Sequence, residues 1–199
     1  MRILVVGASG TIGKEIVKTL EPDHEIIRAS RNGEDVQVDI SSLDSIKKMY
    51  EQVGKIDAVV NAAGGAKFSK LTDMTPDIYN VGIESKLKGQ VNLVLYGLNY
   101  MNDNGSFTLT TGIMMDDPIR EGAAIAMANG GVKYFVKAAA IEMPRGIRIN
   151  SVSPTIMEES WEALGDYFQG FKPAPAREAA LLYKKSVLGL QTGKNYEMY

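Results

Sequence analysis

Gly7-Ala8-Ser9-Gly10-Thr11-Ile12-Gly13 follows directly on the apolar run Ile3-Leu4-Val5-Val6. A strand that runs into a glycine-rich turn and then a helix is a device for binding phosphate. The glycines let the backbone approach a pyrophosphate, and the helix start presents free N–H groups and the positive end of its dipole. Three other short polar turns follow apolar runs: Asn61-Ala62-Ala63-Gly64, Thr110-Thr111-Gly112 and Pro154-Thr155. Hydroxyl and carboxamide groups at such places can hold a ligand or polarise one. Other chemistries find little support. The chain has no cysteine and one histidine, His24, so thiolate chemistry is excluded, and neither a metal site nor a serine–histidine triad is expected.

The elements that would position these turns alternate along the 199 residues. Strands are expected at Ile3–Val6, Glu25–Ala29, Val36–Val38, Lys55–Val60, Gly105–Thr110, Ile147–Val152 and Tyr196–Tyr199. Between them lie helix-patterned stretches. Ile12, Ile16, Val17 and Leu20 form one apolar face, and Ile46, Met49, Tyr50 and Val53 form another behind the cap residue Ser42. One long helix is expected from Asp77 to about Met101, a second from about Glu121 to Met143, and a last one over Ala176–Leu188. Pro154 to Pro175 reads as irregular. Strands separated by helices imply an α/β fold: a three-layer, Rossmann-type, doubly wound parallel sheet in a single domain over residues 1–199. Right-handed crossovers put all four turns on the rim where ligands bind.

A net charge of −2 without a basic stripe points away from nucleic acid. The apolar runs are far below the ~20 residues of a membrane span. With Met1-Arg2 leading straight into the first strand, no signal peptide is expected, which points to the cytoplasm.

In these residues the chain resembles the short-chain dehydrogenase/reductase family from end to end. The likeness is carried by the glycine turn, Asp39-Ile40, Asn61-Ala62-Ala63-Gly64, Gly105-Ser106, Gly146-Ile147-Arg148-Ile149-Asn150-Ser151-Val152-Ser153-Pro154 and Thr192-Gly193-Lys194. The resemblance implies a nicotinamide dinucleotide, with Gly7, Ser9, Gly10, Thr11, Ile12 and Gly13 at the pyrophosphate. It puts Asp39 and Ile40 at the adenine, and Asn61, Ala62, Ala63 and Gly64 on the ribose side, with Pro154 also at the cofactor. An acidic residue ~20 positions past the glycines would grip the ribose 2′-hydroxyl of NAD. Arg28-Ala29-Ser30-Arg31-Asn32 stands there instead. Arg31, following Ser30, suits a 2′-phosphate, so NADP(H) is expected.

The catalytic positions depart from the family pattern. Its Tyr-x-x-x-Lys pair falls at Ile125 and Asn129, which can neither move a proton nor carry a charge. Thr111, or Thr110 with a one-residue shift, stands where a serine polarises the carbonyl, and Lys86 replaces an asparagine on the fourth helix. Lys86 as the cation and Thr111 as the hydrogen-bond donor are the candidate catalytic residues. Tyr167 reads as packing in the irregular segment or as a side chain over the site, and Trp161, Phe168 and Phe171 read equally as that segment's own small core or as an apolar wall for a substrate. The function implied is an NADP(H)-dependent oxidoreductase acting on a small carbonyl or alcohol substrate. The alternatives are a catalytically silent NADPH sensor, and an interaction subunit whose nucleotide is incidental. The resemblance also implies a homodimer or homotetramer, and the small residues Ala123–Gly131 would permit close helix contact.

Overall fold

The β-branched runs become strands and the amphipathic stretches helices in the computed structural model, which describes residues 1–199. The first half runs β1 (Arg2–Val6), α1 (Thr11–Leu20), β2 (Glu25–Ser30), β3 (Val36–Gln37), α2 (Leu43–Val53) and β4 (Ile56–Asn61). The second runs α3 (Pro76–Gly82), α4 (Gly89–Gly97), β5 (Met101–Thr110), α5 (Ala123–Ala139), β6 (Arg148–Pro154), α6 (Trp161–Leu164), α7 (Ala176–Leu188) and β7 (Asn195–Met198). The seven strands form one parallel sheet in the order β3-β2-β1-β4-β5-β6-β7.

The chain winds outward from β1 to β3, then returns to lay β4 on the other side of β1. That reversal opens a crevice beyond the C-terminal ends of β1 and β4, where an open α/β sheet binds ligands. Each face of the sheet has its own apolar core. Ile46, Met49 and Tyr50 of α2, Leu93 and Val94 of α4, and Val132 and Val136 of α5 cover one face. Ile16 and Leu20 of α1 and Ala179, Ala180, Tyr183 and Val187 of α7 cover the other. The expected three layers are present, and no helix is long and apolar enough to cross a membrane.

The helix expected from Asp77 to Met101 runs from Pro76 to Gly97 with a change of step inside it. Between α3 and α4 lies a π-helical turn, Ile83–Lys88, and the chain is already extended at Met101, four residues before Gly105. A single inserted residue changes the hydrogen-bond step without changing composition, so the pattern gave no warning. The small residues of α5 are used inside the chain. A Cβ on Gly131 would lie 2.8 Å from Leu87 Cδ2, and Ala128 Cβ packs 3.5 Å from where a Cβ on Gly82 would stand. They let α3 and the π turn settle closely onto α5. The irregular Pro154–Pro175 segment is tied by a bridge between Met157 and Ala174 and contains α6.

Candidate functional site

The crevice beyond β1 and β4 is a cleft of about 740 Å³. Gly7 (φ +86°) lines its floor, and Gly13 packs directly behind it. A Cβ on Gly7 would come within 2.7 Å of Ala63 N, and one on Gly13 would collide with the Gly7 carbonyl. These two positions hold strand, turn and helix in contact. Gly10 differs, since a Cβ there meets only Gly7 O at 3.3 Å and otherwise faces open space. No side chain caps α1, so the first-turn N–H groups at Thr11, Ile12 and Gly13 lack partners and stand ready for an anion.

Gly7, Ser9, Gly10, Ser30, Arg31, Asp39, Ile40, Ala62, Ala63 and Gly64 of the expected set line this cleft; Thr11, Ile12, Gly13, Asn61 and Pro154 do not. Ile12 packs toward the α1 core and Gly13 has no side chain, so what these two present at the helix start is backbone. Asn61 is fully buried and braces its own turn. Its Nδ2 donates to Ala63 O at 2.8 Å, and its Oδ1 accepts from Ala63 N at 3.3 Å. Ser30 Oγ donates to the Gly33 carbonyl and so shapes the turn that carries Arg31. Arg28 is engaged by Glu21 and Asp35, whereas Arg31 is exposed and forms no ion pair. The Asp39 carboxylate accepts hydrogen bonds from the Ser41 hydroxyl and N–H. Those bonds, aided by the Arg31 charge, hold it below the usual carboxylate range.

A second cavity, about 190 Å³, adjoins the cleft where the Lys86 backbone and stem pass beside Gly64. Eight apolar residues wall it, among them Phe68, Ile113, Ile125, Ile156, Met157 and Phe168. Lys86 is its one ionisable lining residue, and burial with no compensating charge lowers the amine to about 8. Pro154 belongs here, at the end of β6. Ile125 and Asn129 of α5 also face this cavity, so the structure brings the two substituted positions and Lys86 together.

Thr111 lines the cavity as well, but its hydroxyl corrects the expectation. Oγ1 lies 3.1 Å from Val152 O and 3.0 Å from Asn195 Oδ1, so its single proton is directed to the β6–β7 edge. The shifted alternative fares no better, because Thr110 Oγ1 is turned to Asn61 O and to Tyr183 Oη at 2.6 Å. The next residue, Gly112, faces Asn129, with a Cβ there standing 3.1 Å from Asn129 Nδ2, and it has no side chain to offer.

Two features were missed in the sequence. Gln90 is fully buried and makes four hydrogen bonds. It donates to Lys86 O (2.9 Å) and Thr110 O (2.8 Å), and accepts from Thr110 N (2.8 Å) and Asn61 Nδ2 (2.9 Å). Its signal was a polar residue standing in the apolar stripe between Leu87 and Val94. Phe68 is the other. It comes from the loop after β4 and stacks on Tyr167 with ring centroids 4.7 Å apart, closing the cavity against the Pro154–Pro175 segment. Phe168 is buried with Ile113 and Ile156 and also lines the cavity, while Trp161 is 39% exposed.

The family model described as Enoyl-(Acyl carrier protein) reductase matches residues 10–182. Among solved structures, the protein lin1944 from Listeria innocua is 59% identical, with a TM-score of 0.99 and 100% of both chains covered. A small-chain dehydrogenase in complex with NADPH shares the fold, at 24% identity and a TM-score of 0.89, with 100% of this chain and 96% of that one covered. Carbonyl reductase (NADPH) 2 from Sus scrofa is 26% identical over 175 residues, 79% of this chain and 72% of its own. A match that begins inside the glycine turn and ends in the last helix, on a sheet of the same winding, makes this chain a member of the short-chain dehydrogenase/reductase family of oxidoreductases.

Proposed function

We propose that the protein is an NADP(H)-dependent oxidoreductase for a small carbonyl or alcohol substrate, with Lys86 doing the proton chemistry that the family assigns to its tyrosine and lysine. The observation that carries this reading is the position of Lys86, the lone ionisable group of an apolar cavity that opens beside the dinucleotide cleft at Gly64.

The cleft fits the cofactor in its own chemistry. The open N–H groups of α1, with Ser9 and the bare face of Gly10, receive the pyrophosphate. The unpaired Arg31 guanidinium, beside Ser30, receives a 2′-phosphate. Ile40 and Asp39 flank the adenine, and the Asn61–Gly64 turn holds the ribose side, with Pro154 at the far end. When bound, the nicotinamide supplies the hydride. Lys86 then donates a hydrogen bond to the carbonyl oxygen and releases a proton as that oxygen gains charge. A pKa of about 8 keeps the amine charged at pH 7 yet able to lose its proton.

Oxidation of NADPH against a panel of small aldehydes and ketones tests the reading. Lys86→Met is expected to cut turnover by ~10²–10⁴-fold. Arg31→Ala is expected to weaken NADPH about tenfold and leave NADH unchanged. Undiminished turnover in Lys86→Met overturns the assignment.

A second reading, a silent NADPH sensor in the same cleft, is favoured by Ile125, Asn129 and the averted hydroxyl of Thr111. It requires tight NADPH binding with no turnover across the panel. We further propose a cytoplasmic homodimer or homotetramer joined through α4 and α5, whose Leu95, Met127 and Tyr134 are exposed. Light scattering on the eluting protein tests the assembly.

A further inference from the structure

Two polar atoms at the Lys86 cavity, the Lys86 Nζ and the Asn129 Oδ1, have no partner within the chain. The ammonium is half-buried among apolar side chains, and no carboxylate lines the cavity. The second group is the Asn129 carboxamide, which is 1% exposed. Its Nδ2 donates to Gly112 O over a long 3.4 Å, which fixes the orientation and leaves Oδ1 buried without a donor. The two groups do not satisfy each other. A buried cation wants an anion, and a buried acceptor wants a hydrogen-bond donor.

The ligand that relieves both must carry a negative charge and a donor side by side, on a body small enough for about 190 Å³. A neutral alcohol leaves the ammonium unpaired. An amine supplies a donor but repels Lys86. A phosphate sets up to two charges against one cation. A carboxylate flanked by a hydroxyl meets both demands.

We propose that this cavity binds a short 2-hydroxy carboxylic acid, its carboxylate on Lys86 Nζ and its hydroxyl donating to Asn129 Oδ1. The proposal rests on the oxidoreductase reading, for which a 2-hydroxy acid and its 2-oxo acid are the alcohol and carbonyl forms of one substrate. The three N–H bonds of the ammonium suffice to hold a carboxylate oxygen and the neighbouring oxygen together. Asn129 then separates the two forms, because only the hydroxy acid has a hydrogen to give it. The eight apolar wall residues and the Phe68–Tyr167 stack confine the acid to a short carbon chain.

Calorimetry on the full chain, with and without NADP⁺, tests this with three probes of one size. Lactate carries both groups, propanoate lacks the hydroxyl, and propane-1,2-diol lacks the charge. Lactate of one hand is expected to bind best, propanoate about tenfold and the diol at least a hundredfold more weakly. Asn129→Leu is expected to bring lactate down to propanoate, and Lys86→Met to abolish binding of both acids. Asn129→Asp, nearly the same shape with an added charge, is expected to expel lactate from a protein whose folding circular dichroism verifies. The inference is overturned if the diol matches lactate, if Asn129→Leu leaves the lactate-to-propanoate ratio unchanged, or if no acid binds. Reduction of neutral ketones with no acid binding overturns the 2-hydroxy acid and leaves the oxidoreductase standing. Absence of NADPH binding overturns the oxidoreductase, while lactate affinity is still read on the protein without dinucleotide.

Discussion

Replacing Lys86 by Met is expected to make the protein more stable at neutral pH while removing its chemistry. The ammonium is partly desolvated with no counter-charge, and its pKa falls from an ordinary 10.5 to about 8. At about 1.4 kcal/mol per tenfold change, that difference corresponds to roughly 3 kcal/mol of destabilisation, and the residue's remaining contact with solvent brings it nearer to 2. Met keeps the stem that packs beside Gly64 and removes the charge. The sign with pH follows from the two pKa values. Below about pH 8 the amine is charged in both folded and unfolded chains, and the folded protein carries the full penalty. Between about 8 and 10.5 the folded chain loses its proton first, so the penalty shrinks as pH rises, and above 10.5 it is gone.

Urea unfolding of both proteins from pH 6.5 to 9.5 measures this as a difference. The buried tyrosines Tyr50 and Tyr183, whose phenols burial pushes up, affect both proteins alike and cancel. Lys86→Met is expected to be about 2 kcal/mol more stable at pH 7, near 4–8 °C in Tm, with the gap closing toward pH 9.5. A less stable variant, or a gap that does not change with pH, would falsify the account of Lys86 as an uncompensated buried cation.

Gly13→Ala is expected to unfold the protein by forcing a methyl group into the Gly7 carbonyl, whereas Gly10→Ala should fold within about 1 kcal/mol of the parent yet bind NADPH some tenfold more weakly. Thermal melts paired with NADPH titration separate the two. Gln90→Leu takes the side-chain partner from the N–H and carbonyl of Thr110 and one of two partners from Asn61 Nδ2, so a loss of about 3 kcal/mol is expected in urea unfolding. Thr111→Val is expected to cost about 1 kcal/mol of stability and change turnover by no more than a few-fold. A thousandfold loss of turnover would return Thr111 to the role of hydrogen-bond donor.

The sheet was legible because its strands are buried on both faces and read as short apolar runs, and because the helix stripes of α1 and α2 are strict. The cleft at the glycine turn was legible for a related reason. Its floor is partly backbone, so Gly7 and Gly10 announce it by lacking side chains. Asn61 braces its own turn, a task not visible in sequence, since a carboxamide that braces its loop and one that touches a ligand look alike there. The second cavity was read less well. Thr111 adjoins it, but which way a hydroxyl turns at a strand end depends on Val152 and Asn195, distant in sequence. Lys86, Ile125 and Asn129 meet there because a helix expected to run unbroken contains a π turn. Gln90 was hidden by its neighbours, a polar residue among the apolar Leu87, Val91 and Val94.

That π turn sets two phases in one helical arm. Gly89 N bonds back to Glu84 O, one residue further than the α-helical step, and the Gln90 side chain, not an amide N–H alone, engages the Lys86 carbonyl. Lys86 is therefore aimed by one helical frame, and Leu93 and Val94, in the sheet core, by another. Deleting any one residue between Ile83 and Lys88 would restore a uniform α-helix, and with it a rotation of about 100° of one half against the other. Either the amine would swing out of its cavity or Leu93 and Val94 would leave the core. Across this arm the chain tolerates changes of residue type far better than changes of length.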